Sequence, residues 1–146
     1  MYRCKHFTIK ELVSPQVYNK FGEFAWKFFD ENLLRDLDTI REYHGPITVN
    51  NWPYGGGNTQ CGLRCNMDPM VKGKKSIYCS AHCMGKALDL HSSDNRKLYR
   101  DIERLFKDGE LLAIARMESA DSTKYAWCHV DTFQPNDPSK LEIFKA

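Results

Sequence analysis

The stretch FAWKFFDENLLRDLDTIREYHG, residues 24–45, places apolar side chains at positions 26, 29, 33, 37 and 40. Steps of three and four residues gather these on one side of a helix, and Gly45 supplies the stop. A helix with one greasy side has to bury it against a second layer. The rest of the chain offers that layer as short β-branched or alternating runs: PITVN (46–50), KALDLH (86–91), ELLAIARMES (110–119) and YAWCHVDTF (125–133). The polar stretch ADSTK reads as the turn joining the last two. SSDNRKLYRDIERLFKDG (92–109) is a second, capped amphipathic helix, with Leu98, Ile102, Leu105 and Phe106 on one face. Nearer the start, FTIKELVSPQVYNKFG reads as an extended piece followed by a short helix, capped by Ser14 with Pro15 at its first position. The expected fold is α+β: one domain over residues 1–146, an antiparallel sheet and helices packed on it.

Residues 52–79 interrupt this pattern. They hold four glycines before Arg64, two prolines and little periodicity. A loop of that length inside a domain of 146 residues is usually functional or disordered. A net charge of +2 is too small to argue for nucleic acid as a partner. The N-terminal stretch MYRCKHFTIKELVSP scatters its charges and lacks an apolar run, so neither a secretion signal nor a membrane anchor is expected, and nothing downstream reaches a spanning length. The chain is expected to be made in a cytoplasm. Six cysteines would suggest disulfides in a secreted protein, a reading the missing signal weakens.

Chemistry concentrates in SAHCMGKALDLH (80–91) and WCHVDT (127–132). In a strand, Leu88 and Leu90 face the core, which turns Asp89 toward a cleft or solvent. Trp127, His129 and Asp131 share a face in the same way. Two histidines and a carboxylate, His82, Asp89 and His129, are a common protein set for catalytic zinc, leaving the fourth tetrahedral position to water. The same spacing also fits a hydrogen-bonded loop histidine and a strand-end aspartate. A rival metal reading comes from CGLRC and CSAHC, two C-x₃-C pairs with thirteen residues between them. Four thiolates would make a closed structural zinc and a non-catalytic binding module, but the usual pair spacing is two, and His82 lies inside the second pair.

SAHCMGKALDL matches S-x-H-x-x-G-x-A-x-D, and in this it resembles the zinc D-alanyl-D-alanine carboxypeptidases, a family that includes phage endolysins and shares the hedgehog-type fold. CHVD resembles that family's closing histidine strand; FTIKEL and ITVNN also resemble one of its branches, so the similarity runs from about residue 6 to residue 133. The resemblance implies one catalytic Zn²⁺ held by His82, Asp89 and His129. The position three residues before the last histidine, an acid in many members, is here Ala126. The resemblance therefore points to Glu118 as general base, with Asp131 as its competitor.

It also implies Arg64 near the scissile carbonyl or a substrate carboxylate. Ser80 and Asp131 would orient ligands from behind, the latter by receiving a ring N–H. Tyr54 and Trp127 would line a peptide groove, and His6, His44 and His91 would be dispensable. The expected substrate is a peptidoglycan stem peptide, cut by a monomer without nucleic-acid or membrane partners. As in phage endolysins, it would reach the bacterial cell wall through a holin-type hole.

Overall fold

A computed structural model describes all residues, 1–146. Six α-helices and a four-stranded sheet surround one core of 25 buried residues. The helices are α1 (Ile9–Leu12), α2 (Pro15–Phe21), α3 (Glu31–His44), α4 (Pro69–Lys72), α5 (Asn95–Lys107) and α6 (Ala120–Thr123). The strands are β1 (Ala87–Leu90), β2 (Arg116–Glu118), β3 (Cys128–Asp131) and β4 (Glu142–Phe144), in the spatial order β1-β3-β2-β4.

The sheet is mixed rather than antiparallel. β3 pairs antiparallel with β1 and β2, and β4 runs parallel to β2 at the edge. The expected strand at PITVN is reduced to a single bridge between Thr48 and His91. FTIKEL is not extended either: Thr8 and Glu11 form a capping box, which starts α1. Ser14 and Pro15 do open α2, the serine hydroxyl accepting from the Val17 N–H at 3.3 Å.

The long amphipathic helix starts later than its apolar spacing predicts. Asp30 accepts the Asn32 N–H at 3.0 Å and caps α3, so Trp26 and Phe29 belong to the preceding 3₁₀ turn and its exit. Leu33, Leu34, Leu37 and Ile40 are then the buried stripe of α3. In α5, Asp94 caps, and Leu98, Tyr99, Ile102 and Leu105 are buried, whereas Phe106 stays half-buried. Helix α5 packs on β3 and α3 packs on α5, and their stripes share one core with Leu88, Leu90, Met117, Cys128 and Val130 of the sheet. Each such side chain, fully withdrawn from water, contributes about 1.5–3 kcal/mol.

ADSTK is a helical turn, α6, and leaves through two left-handed residues, Lys124 (φ 55°) and Tyr125 (φ 58°). The N–H groups of Leu112, Ala113 and Ile114 all donate to the buried carboxylate of Asp36 at 2.6–2.8 Å. That anchor keeps residues 112–114 out of the ladder and shortens the strand expected at 110–119 to three residues.

Candidate metal centre

The sheet register builds the site as one row. Asp89 pairs with His129, and Glu118 pairs with Phe144. Met117 lies opposite Val130, so Glu118, one residue on, stands level with His129. Direct cross-strand partners share a face. Asp89, His129, Glu118 and Phe144 thus run across all four strands on the face away from the helices. The neighbouring row contains Ala87, Asp131, Arg116 and Glu142.

His82 reaches this face from the 3₁₀ turn Ala81–Met84. Ser80 caps that turn, its hydroxyl accepting the His82 N–H at 3.1 Å. Gly85 leaves it in the left-handed region (φ 67°), and any side chain there would overlap the Phe28 carbonyl. Gly62 is equally constrained against the Leu12 backbone, and its own carbonyl receives His82 Nδ1 at 2.9 Å.

Three atoms converge. His82 Nε2 lies 3.2 Å from His129 Nδ1, His129 Nδ1 lies 2.9 Å from Asp89 Oδ1, and His82 Nε2 lies 3.3 Å from Asp89 Oδ1. The far nitrogens decide what these atoms are. A carbonyl oxygen can only accept, so His82 carries its proton on Nδ1. Asp131 Oδ2 sits 3.1 Å from His129 Nε2 and is likewise an acceptor, so His129 carries its proton there. In the neutral rings both facing nitrogens therefore present lone pairs, beside a carboxylate oxygen. Three acceptors without a donor call for a cation between them. His82, Asp89 and His129 form a group that can hold a metal ion, and it is the one such cluster of three or more in the chain.

The electrostatics agree. Burial alone would raise the Asp89 carboxyl, but hydrogen bonds and charge from His129 and His82 outweigh it and hold the group well below the usual carboxylate range. Burial would lower His129, yet Asp131 and Asp89 push it up to about 9, so without metal the site keeps a proton. Glu118 moves the opposite way from Asp89: burial raises its carboxyl, Asp89 adds to this, and the histidines only partly offset it. No protein group hydrogen-bonds to its carboxylate. Asp131 is fully committed, taking Arg116 Nε and Nη2 at 2.9 Å each, His129 Nε2, and the Phe133 N–H at 3.0 Å.

The row forms the floor of a cleft of about 450 Å³, walled by Ser80, Tyr78, Arg116, Trp127 and Phe133. Arg64 lines it too. The guanidinium is not a free loop cation, for Nη2 lies 3.3 Å from Asp89 Oδ2 and Nε donates to the Gln60 carbonyl at 2.6 Å. Trp127 is a wall of the cleft rather than core. Tyr54, expected in the groove, lies 71 % exposed on the 3₁₀ turn Trp52–Tyr54 and lines no part of the cleft.

His44 bridges Asp101 and Ser92 at 2.7 Å each, His6 meets Glu42, and His91 contacts Cys61 Sγ at 3.4 Å, so none of the three joins the metal group. All six cysteines are free, and Cys61, Cys65, Cys79 and Cys83 form no ligand cluster. Strand alternation could have flagged Arg116 as the partner of Asp131, since it shares a face with Glu118. Phe144, edge-on to the His129 ring at 5.6 Å, had no signal in the sequence. Comparisons with protein-family models, with curated proteins and with solved structures give no match.

Proposed function

We propose that this chain is a zinc-dependent peptidase that hydrolyses a peptide bond in peptidoglycan stem peptides. The observation that carries the reading is the triangle of acceptor atoms, 2.9–3.3 Å on a side, with an unpaired glutamate in the same row. Ligand bonds of 2.0–2.2 Å in a tetrahedron put donor atoms about 3.3–3.6 Å apart, so the triangle has to open by only a few tenths of an ångström to take Zn²⁺. The mixed nitrogen and carboxylate donors suit it as well, and three protein ligands are the catalytic number. Bound there, zinc would polarise the scissile carbonyl and acidify a water.

The chain's own groups account for the rest. Glu118, raised by burial and free of partners, takes a proton from the attacking water as oxygen bonds to the carbonyl carbon. It then delivers that proton to the amine nitrogen as the C–N bond breaks. Asp131 holds the His129 tautomer and, spent on four donors, is a poor base. Two of the five N–H groups of Arg64 are used within the protein, and the other three are free for a carbonyl or carboxylate of the substrate. Assignment to the cell wall rests on the S-x-H-x-x-G-x-A-x-D match and not on the cleft. A structural Cys₄ module lacks the cysteine cluster it requires.

The test is digestion of purified peptidoglycan by the zinc-loaded protein, with released peptides identified by mass. New amino termini that vanish with chelator and return with zinc are the expected result. Intact peptidoglycan after incubation with fully loaded protein refutes the proposal.

A further inference from the structure

The segment between α4 and the His82 turn has three properties that converge. The first is charge: residues 69–79 contain Lys72, Lys74 and Lys75 and no acid, a net +3. The chain's total is +2, so everything outside the segment sums to −1, that is 2 − 3. None of the three lysines has a carboxylate within ion-pair distance, so their charge is left to solvent or a ligand, as it is for most lysines of the chain.

The second is the backbone. From Lys75 to Cys79, five consecutive residues make no hydrogen bond to the rest of the protein, by main chain or side chain. Ile77 is 95 % exposed in the middle of them. The third is position. Both ends of the segment are fixed at the cleft: Met70 and Tyr78 line it, and the Met70 N–H donates to Gln60 Oε1 at 2.8 Å. Lys74 Nζ sits 4.8 Å over the Tyr78 ring and ties the two arms together.

Main-chain groups left free along an irregular segment, with cations beside them at the mouth of a cleft, are available to the main chain and carboxylates of a bound peptide. We infer that residues 72–79 are a docking rail for an extended acidic peptide, whose main chain pairs with residues 75–79 and whose carboxylates meet Lys72, Lys74 and Lys75. This rests on the peptidase reading and adds to it a substrate property: carboxylates flanking the bond to be cut. The exposed Ile77 is free to meet an aliphatic side chain of the peptide.

The test uses zinc-loaded Glu118→Gln protein, so that ligand is bound and not consumed. The probes are the acidic tetrapeptide acetyl-L-Ala-D-Glu-L-Ala-D-Ala, with two carboxylates and no cation, and a neutral copy with both carboxylates amidated, titrated calorimetrically. Replacing Lys72, Lys74 and Lys75 together by alanine should weaken the acidic peptide roughly three- to thirtyfold, as exposed ion pairs do, and leave the amidated one unchanged. Ile77→Pro removes one main-chain donor and should weaken both peptides about two- to tenfold. Zinc content and melting temperature should hold in both variants, because residues 75–79 make no hydrogen bond to the rest of the protein and the main-chain bonds of Lys72 and Lys74 survive replacement by alanine. Equal binding of the acidic peptide by the parent and both variants overturns the rail. Separate digestion of peptidoglycan by the unmutated enzyme then shows whether the peptidase reading stands without it; if that also fails, both fall.

Discussion

Replacing Asp131 by asparagine changes one oxygen to an NH₂ group, and the surroundings leave that group nowhere to go. Oδ1 accepts from Arg116 Nε and the Phe133 N–H, and Oδ2 accepts from Arg116 Nη2 and His129 Nε2. Whichever position the NH₂ takes, it faces two donors. Neither a guanidinium nor a main-chain amide can become an acceptor, but an imidazole can. The NH₂ therefore settles toward His129, whose proton moves from Nε2 to Nδ1 and points at the metal position.

Loss of such an orienting partner costs about 10–100-fold in metal affinity. Asp131 is 1 % exposed and Arg116 only 22 %, so breaking the buried pair should also destabilise the fold by about 2–4 kcal/mol, near the lower end for buried pairs. Zinc affinity is read by competition with a chromophoric chelator, and the tautomer by the ¹⁵N shifts of the His129 ring. A variant that binds zinc within threefold of the parent, with Nε2 still protonated, would refute the reasoning.

Glu118→Gln should separate chemistry from metal binding: zinc content and melting temperature stay as they are while turnover falls at least ~10²-fold. Unchanged turnover on peptidoglycan would remove Glu118 from the mechanism. His82→Ala should abolish zinc binding and His91→Ala should not, both measured by elemental analysis; the reverse pattern refutes the ligand set. In the metal-free chain the histidine and carboxylates act in opposite pH ranges. His129 is raised to about 9, so its contribution to stability is complete below the unfolded value near 6.5 and is lost as pH rises through about 9. Asp89 and Asp131 are depressed, so theirs is present above about 4 and lost on acidification. Thermal melts from pH 3 to 10 should show both losses, and a flat profile from pH 6.5 to 9.5 contradicts the His129 assignment.

Strand alternation in ALDL and CHVD was enough to turn Asp89 and His129 to one face, because two buried residues on the other side fix the parity. Helix α5 was legible for a similar reason, a cap followed by a clean stripe. The start of α3 was not, since Phe29 continues the apolar spacing while Asp30 has already capped the helix. The short β2 was hidden by Asp36, a residue 76 positions from the Leu112 N–H it binds, which no local pattern encodes. Parallel pairing of EIF beside β2 depends in the same way on contacts remote in sequence. Glu118 was named as base by the resemblance, with Asp131 as competitor; that Asp131 is occupied by four donors while the Glu118 carboxylate has none depends on side-chain contacts that no local pattern encodes.

The row that joins Asp89 to His129 also ties metal binding to the assembly of the fold. Those residues lie 40 positions apart, so the ligand triangle exists only after β1 and β3 have come into register. A disordered chain offers no preformed site, and whatever free energy the metal gains on binding is added to the native state alone. With free metal at a hundred times its dissociation constant that addition is about 2.7 kcal/mol, a sizeable share of what a domain of this size has in total. With the site filled in this way, the melting temperature would be a gauge of the metal concentration around the protein, and a compartment poor in that ion would hold a larger unfolded fraction for proteases to find.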